Sequence, residues 1–127
     1  YSDTLISLSD RTKLAKALKA ELFVSLHCNH SENPNARGIE VYASRKQKEF
    51  SKASVFMGYQ IESALCEAIG YDSRGVKFAN FQVLRETTEY CPAILMELGF
   101  LSNVDEAQYL MRKENVLAIA LSILKKL

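Results

Sequence analysis

Short apolar runs, each too brief to build a helix alone, punctuate a chain whose other apolar residues recur at helical spacing. Glu21–His27 carries Leu22-Phe23-Val24 and Leu26, and Ala93-Ile94-Leu95-Met96 leads into Glu97. Such runs read as short buried strands. Gly38–Tyr42 and Phe81–Arg85 read as two more, and Tyr71–Lys77 as a connection containing Arg74-Gly75. Helical patterns fill the intervals. Ser7 with Asp10 forms a capping box ahead of a helix whose Leu8, Ala15 and Leu18 share a face. Lys48–Ile69 repeats Phe50, Ala53, Met57, Ile61 and Leu65 at helical spacing, and Gly70 is placed to end it. Asn103 with Glu106 caps a helix through Leu110, and Glu114–Leu127 forms the last. Strands alternating with helices predict an α/β fold.

Composition closes off several function classes. The 127 residues suit one domain, and 48% hydrophobic against 24% charged residues excludes general disorder. Sixteen Lys and Arg balance fifteen Asp and Glu, so no basic footprint for nucleic acid is present. The longest apolar run, Val116–Leu121, is far shorter than the ~20 residues of a membrane-spanning helix. Cys28, Cys66 and Cys91 are odd in number and widely spaced, which reads as buried thiols, not a disulfide framework. No CxxC pair, nucleophile-elbow GxSxG, Walker loop or GxGxxG occurs.

Two strand ends carry residues unsuited to burial without partners: His27-Cys28-Asn29 and Glu97-Leu98-Gly99-Phe100. Open α/β sheets bind ligands beyond the carboxyl ends of their strands. If the two strands are parallel neighbours, His27 and Glu97 face one site. A neutral imidazole can ligate zinc, and a carboxylate can be a second ligand or a general base for water. The same residues also suit a hydrogen-bonded histidine and a helix-capping or ion-paired glutamate. Arg74, beside Gly75, either binds an anion or is an ordinary loop charge. Cys28 points away from its neighbour His27 on a strand, so the two make a poor dyad.

These segments, taken in order, resemble the zinc-dependent N-acetylmuramoyl-L-alanine amidases of the amidase 3 family. The resemblance runs through Ser7–Arg11, Ala20–Asn29, Gly38–Tyr42, Arg74–Arg85 and Pro92–Leu110. It implies a twisted, mostly parallel sheet flanked by helices, of the phosphorylase/hydrolase-like type. It implies a zinc ion held by His, Glu and His, with His27 as the third ligand and Glu97 as the catalytic residue. Asn29 and Arg74 fall in motifs that imply contact with substrate. The implied reaction is hydrolysis of the amide between the lactyl group of N-acetylmuramic acid and L-alanine of the peptidoglycan stem peptide. The implied setting is periplasmic or extracellular, with activator or wall-binding domains elsewhere. A non-catalytic peptidoglycan-binding or regulatory module of the same fold is the alternative. The family's first zinc His and its Glu ligand lie in N-terminal blocks that have no counterpart here, and His30 and Glu40 do not replace them. Residues 1–127 are therefore expected to form an N-terminally incomplete catalytic domain, the chain being the C-terminal portion of a longer protein.

Overall fold

The computed structural model describes residues 5–127. The elements run α1 (Leu8–Ala17), β1 (Phe23–Asn29), β2 (Ile39–Ser44), α2 (Ser51–Ile69), β3 (Ser73–Ala79), α3 (Gln82–Thr87), β4 (Ala93–Phe100), α4 (Val104–Leu110) and α5 (Lys113–Leu124). The strands form one sheet in the order β1-β4-β2-β3. β1 pairs parallel with β4 and β2 parallel with β3, while β2 and β4 pair antiparallel. The expected α/β architecture, a mostly parallel sheet flanked by helices, is the one the chain adopts.

Alternation along the strands divides the sheet into two faces. Ile39, Val41, Ile94 and Met96 pack with Ile61 and Leu65 of α2 and Ile119 and Ile123 of α5. Burying each such side chain contributes roughly 1.5–3 kcal/mol, so this face anchors the sheet. The opposite parity, Ala93 and Leu95 with Phe23 and Tyr42, packs on Val83 and Leu84 of α3.

The caps behave as their residue types predict. Ser7 Oγ accepts from the Asp10 N–H at 3.1 Å, Asn103 Oδ1 accepts from the Glu106 N–H at 3.2 Å, and left-handed Gly70 ends α2. Glu106, 1% exposed, accepts from the Gly38 and Phe100 N–H groups at 2.7 Å each. It thereby ties the start of β2 to the end of β4.

Four local expectations are corrected. Phe81–Arg85 is not a strand: α3 begins at Gln82. β2 already has β3 and β4 on its two sides, and a helix puts Val83, Leu84 and Thr87 together against the sheet. Conversely, the expected Tyr71–Lys77 connection contains most of β3, with Gly75 forming a bulge in it. β1 is an edge strand among the described residues, so Leu26 is 55% exposed and Cys28 is also exposed, unlike buried Cys91. The Leu8–Leu18 face of α1 is exposed as well: only Thr12 of this helix is buried. An apolar groove of about 440 Å³, lined by Leu14, Leu18, Leu22 and Val24 among others, runs between α1 and the free side of β1. All three cysteines are free thiols. No helix among the described residues is long and apolar enough to cross a membrane.

Candidate active site

The parallel register of β1 and β4 sets His27 opposite Glu97. Both line a pocket of about 180 Å³, together with Leu8, Arg11, Ser25 and Phe81. Ser25 is buried, and its Oγ lies 2.9 Å from His27 Nε2, which fixes the ring from below.

Glu97 Oε2 is buried without a hydrogen-bond partner. Burial raises the carboxyl above its ordinary value; His27 pulls it back and the charge of Glu40 pushes it further up. An unpaired buried acceptor costs roughly 1–3 kcal/mol. Tyr71 Oη and Thr87 Oγ1 are likewise unpaired, but only Glu97 of the three lines a pocket with a histidine, which marks it as a candidate functional group.

Glu40 stands opposite Glu97 on the antiparallel neighbour β2 and is 3% exposed. Its Oε1 accepts from Asn29 Nδ2 at 2.7 Å and from the Tyr42 hydroxyl at 2.8 Å. Its Oε2 accepts from Arg74 Nε at 2.8 Å and from Lys77 Nζ. Burial by itself would raise this carboxyl, but the hydrogen bonds from Lys77, Arg74 and Tyr42 outweigh it and bring it down to about 2. Burial and the bond to Glu40 push the Tyr42 hydroxyl up to about 12. His27, Glu97, Glu40 and the Arg74–Lys77 pair thus form a row across the sheet from β1 to β3.

A β-bulge makes the last member of this row possible. Ile39 pairs with Ser73 but Val41 with Val76, so Arg74 and Gly75 together face Glu40. Gly75 has φ +78°, a conformation that strains any residue with a Cβ. In a regular strand Arg74 and Lys77, an odd number of residues apart, would point to opposite faces. The extra residue brings both to Glu40. From the other face, buried Glu62 of α2 accepts the Gly75 N–H at 2.8 Å and the Ser73 hydroxyl at 2.9 Å.

The structure therefore brings His27 and Glu97 together, as expected of parallel neighbours. Asn29 and Arg74 join the row through Glu40, and Asn29 Oδ1 also accepts the His30 N–H at 2.8 Å. Exposed His30 lies on the loop after β1. The sequence gives no distinguishing signal for Lys77 or Ser25, and assigns Glu40 no role. The signal for Glu40 was a charge inside the apolar strand Gly38–Tyr42, on the parity of Tyr42.

As a metal centre the donor set is partial. Among the described residues no three His, Cys, Asp or Glu side chains converge as metal ligands, whereas zinc needs three or four. Glu40 has its acceptor positions filled. His27 offers one imidazole, and Glu97 one carboxylate oxygen without a hydrogen-bond partner.

The family model for N-acetylmuramoyl-L-alanine amidase matches residues 1–127. An endolysin of Bacillus phage SPP1 is 39% identical over 123 residues, covering 91% of this chain and 42% of the endolysin. The crystal structure of N-acetylmuramoyl-L-alanine amidase from Clostridium difficile 630 superposes with TM-score 0.88 at 34% identity, over 98% of this chain and 65% of that one. The CwlD amidase of Clostridioides difficile, solved in complex with the GerS lipoprotein, superposes with TM-score 0.81 at 25% identity, over 91% of this chain and 57% of that one. The chain thus spans less than half of the endolysin and less than two-thirds of either solved relative.

Proposed function

This chain belongs to the N-acetylmuramoyl-L-alanine amidase family, and from that premise we propose that it takes part in zinc-dependent hydrolysis of the amide between N-acetylmuramic acid and L-alanine of peptidoglycan. The observation that carries the reading is the register of His27 with Glu97 on adjacent parallel strands, combined with the unpartnered Glu97 Oε2. His27 is one zinc ligand, held by Ser25. Among the described residues no further His, Cys, Asp or Glu side chains converge with it to complete a metal site. When bound, zinc polarises the substrate carbonyl and makes the attacking water more acidic. Glu97 takes a proton from that water at Oε2 and delivers it to the leaving amine nitrogen. Its raised proton affinity suits both steps. Glu40 stays ionised throughout and moves no proton.

A non-catalytic wall-binding module of the same fold would have no use for an unpaired buried carboxylate beside a strand-end histidine. Peptidoglycan lies outside the cytoplasmic membrane, so action is extracellular, periplasmic or wall-associated. Activator or wall-binding partners complete the reading; the CwlD relative was solved in complex with the GerS lipoprotein.

The test is release of stem peptides from purified peptidoglycan by the complete gene product, with and without a chelator. Activity that is abolished by chelation, restored by zinc and lost in Glu97→Ala supports the reading. Activity that survives Glu97→Ala removes the catalytic assignment, and absence of activity in zinc-loaded protein removes the function.

A further inference from the structure

Two cations converge on one carboxylate. Arg74 and Lys77 both pair with Glu40, and among the described residues their salt bridges run to no other acid. Two positive charges against one negative leave a surplus of one positive charge. Its distribution is uneven. The Glu40 side chain is 3% exposed, whereas those of Arg74 and Lys77 are 36% and 39% exposed. The anion is sealed beneath the cations and the surplus faces solvent. Arg74 is also braced: Nη1 donates to the Arg37 carbonyl at 3.1 Å, and the guanidinium sits 5.0 Å from the Phe100 ring centroid.

The cluster is built into the fold. It needs the bulge at Gly75, and the bulge in turn is anchored by two hydrogen bonds donated to buried Glu62, from the Ser73 hydroxyl and the Gly75 N–H. A surface ion pair needs neither device. Position matters too. The β3 backbone lies two strands from β4, but Arg74 and Lys77 reach back onto Glu40, one strand from Glu97, so at ~4.8 Å per strand their charged ends lie ~5–10 Å from Glu97 along the sheet face. Extended peptide rises ~3.3 Å per residue, so this span is about two to three residues of substrate.

The geometry points to a subsite in which Arg74 and Lys77, gathered on Glu40, receive a free carboxylate borne by the stem peptide about two to three residues from the amide cleaved at Glu97. Arg74 and Lys77 are the groups that touch the ligand, and Glu40 is their positioning residue. A carboxylate matches a surplus of one positive charge, and the Arg fork suits its planar oxygens. This inference rests on the amidase reading and adds a substrate preference to it.

The test uses the complete gene product and paired soluble substrates. These are N-acetylmuramoyl peptides identical except for carboxylate or carboxamide at the second stem residue, and a second pair differing at the third. In at least one pair the acid is preferred by about tenfold in kcat/KM, mostly through KM. The preference shrinks with added salt, because the cations are partly exposed. Lys77→Met brings the ratio toward one, and Lys77→Arg keeps it. Equal kcat/KM for both members of both pairs in the wild type overturns the subsite, as does a ratio unchanged in folded Lys77→Met. Should Lys77→Met not fold, the wild-type salt series decides: a preference insensitive to salt overturns the subsite. If zinc-loaded wild type cleaves no member of either pair, the amidase reading itself fails and the subsite falls with it.

Discussion

Glu40 and Glu97 face each other across β2 and β4, on the same face of the same sheet, and the fold treats them in opposite ways. Glu40 accepts four hydrogen bonds, two of them from cations. Glu97 has one oxygen that accepts none. Filling every acceptor position turns a carboxylate into a fixed charge that organises its neighbours. Leaving one empty keeps a carboxylate ready to take a proton. Glu40 is buried and Glu97 half-buried with its Oε2 sealed from solvent, so partners more than burial separate a structural acid from a chemical one.

Substitution should divide the pair along the same line. The largest effect expected is on turnover: Glu97→Gln in the complete gene product lowers kcat by roughly 10²–10⁴-fold, the usual worth of general acid–base catalysis. Peptide-release kinetics measure it, and a loss below tenfold would put the proton transfer elsewhere. Glu40→Gln should instead act on stability, costing about 2 kcal/mol at pH 7, which urea unfolding reads directly. The folded Glu40 carboxyl lies at about 2 against an ordinary 4.5. A lowered value stabilises the fold above pH 4.5, and that contribution is lost as pH falls toward 2. The gap between wild type and Glu40→Gln should therefore close over that window; a gap constant across it would mean the ionised carboxylate is not the source.

Gly75→Ala is expected to cost about 1–2 kcal/mol. A Cβ there meets nothing within 4 Å, so the whole penalty comes from the positive φ. If thermal unfolding of the variant matches wild type, the bulge is not held as described. The smallest effect has the opposite sign. Glu97 has a raised value, so its neutral form is favoured by the fold below pH 4.5, and this support is lost as pH rises through the folded value. Glu97→Gln keeps that position neutral at every pH. It should be more stable than wild type by about 1 kcal/mol or less at pH 7, and no more stable below pH 4.5.

Local patterns made much of this molecule legible. The caps at Ser7 and Asn103, the α2 repeat ending at Gly70, and the strand at Ala93 all appear where the residues alone place them. Each depends on neighbours within a few positions. Phe81–Arg85 and Arg74–Gly75 misled because their local signals were ambiguous. The first has strand-like alternation, but the flanks of β2 are occupied by β3 and β4. The second has a glycine that reads as part of a connection and serves as a bulge. Within the site, His27 and Glu97 stood out because each ends an apolar run. Glu40 did not, because its importance lies in partners far away in sequence: Arg74 is 34 positions on and Lys77 37.

Amino-acid order alone thus settled the element types that short-range periodicity controls, the α/β class they imply, and the two residues on which the proposed chemistry turns. Folding settled the rest: the register that opposes His27 to Glu97, the exposure of β1 and Cys28 at a sheet edge, and the bulge that gives Glu40 its cations. Those outcomes depend on which strands become neighbours, and strand pairing is a long-range choice made by burial and backbone hydrogen bonding across the whole sheet.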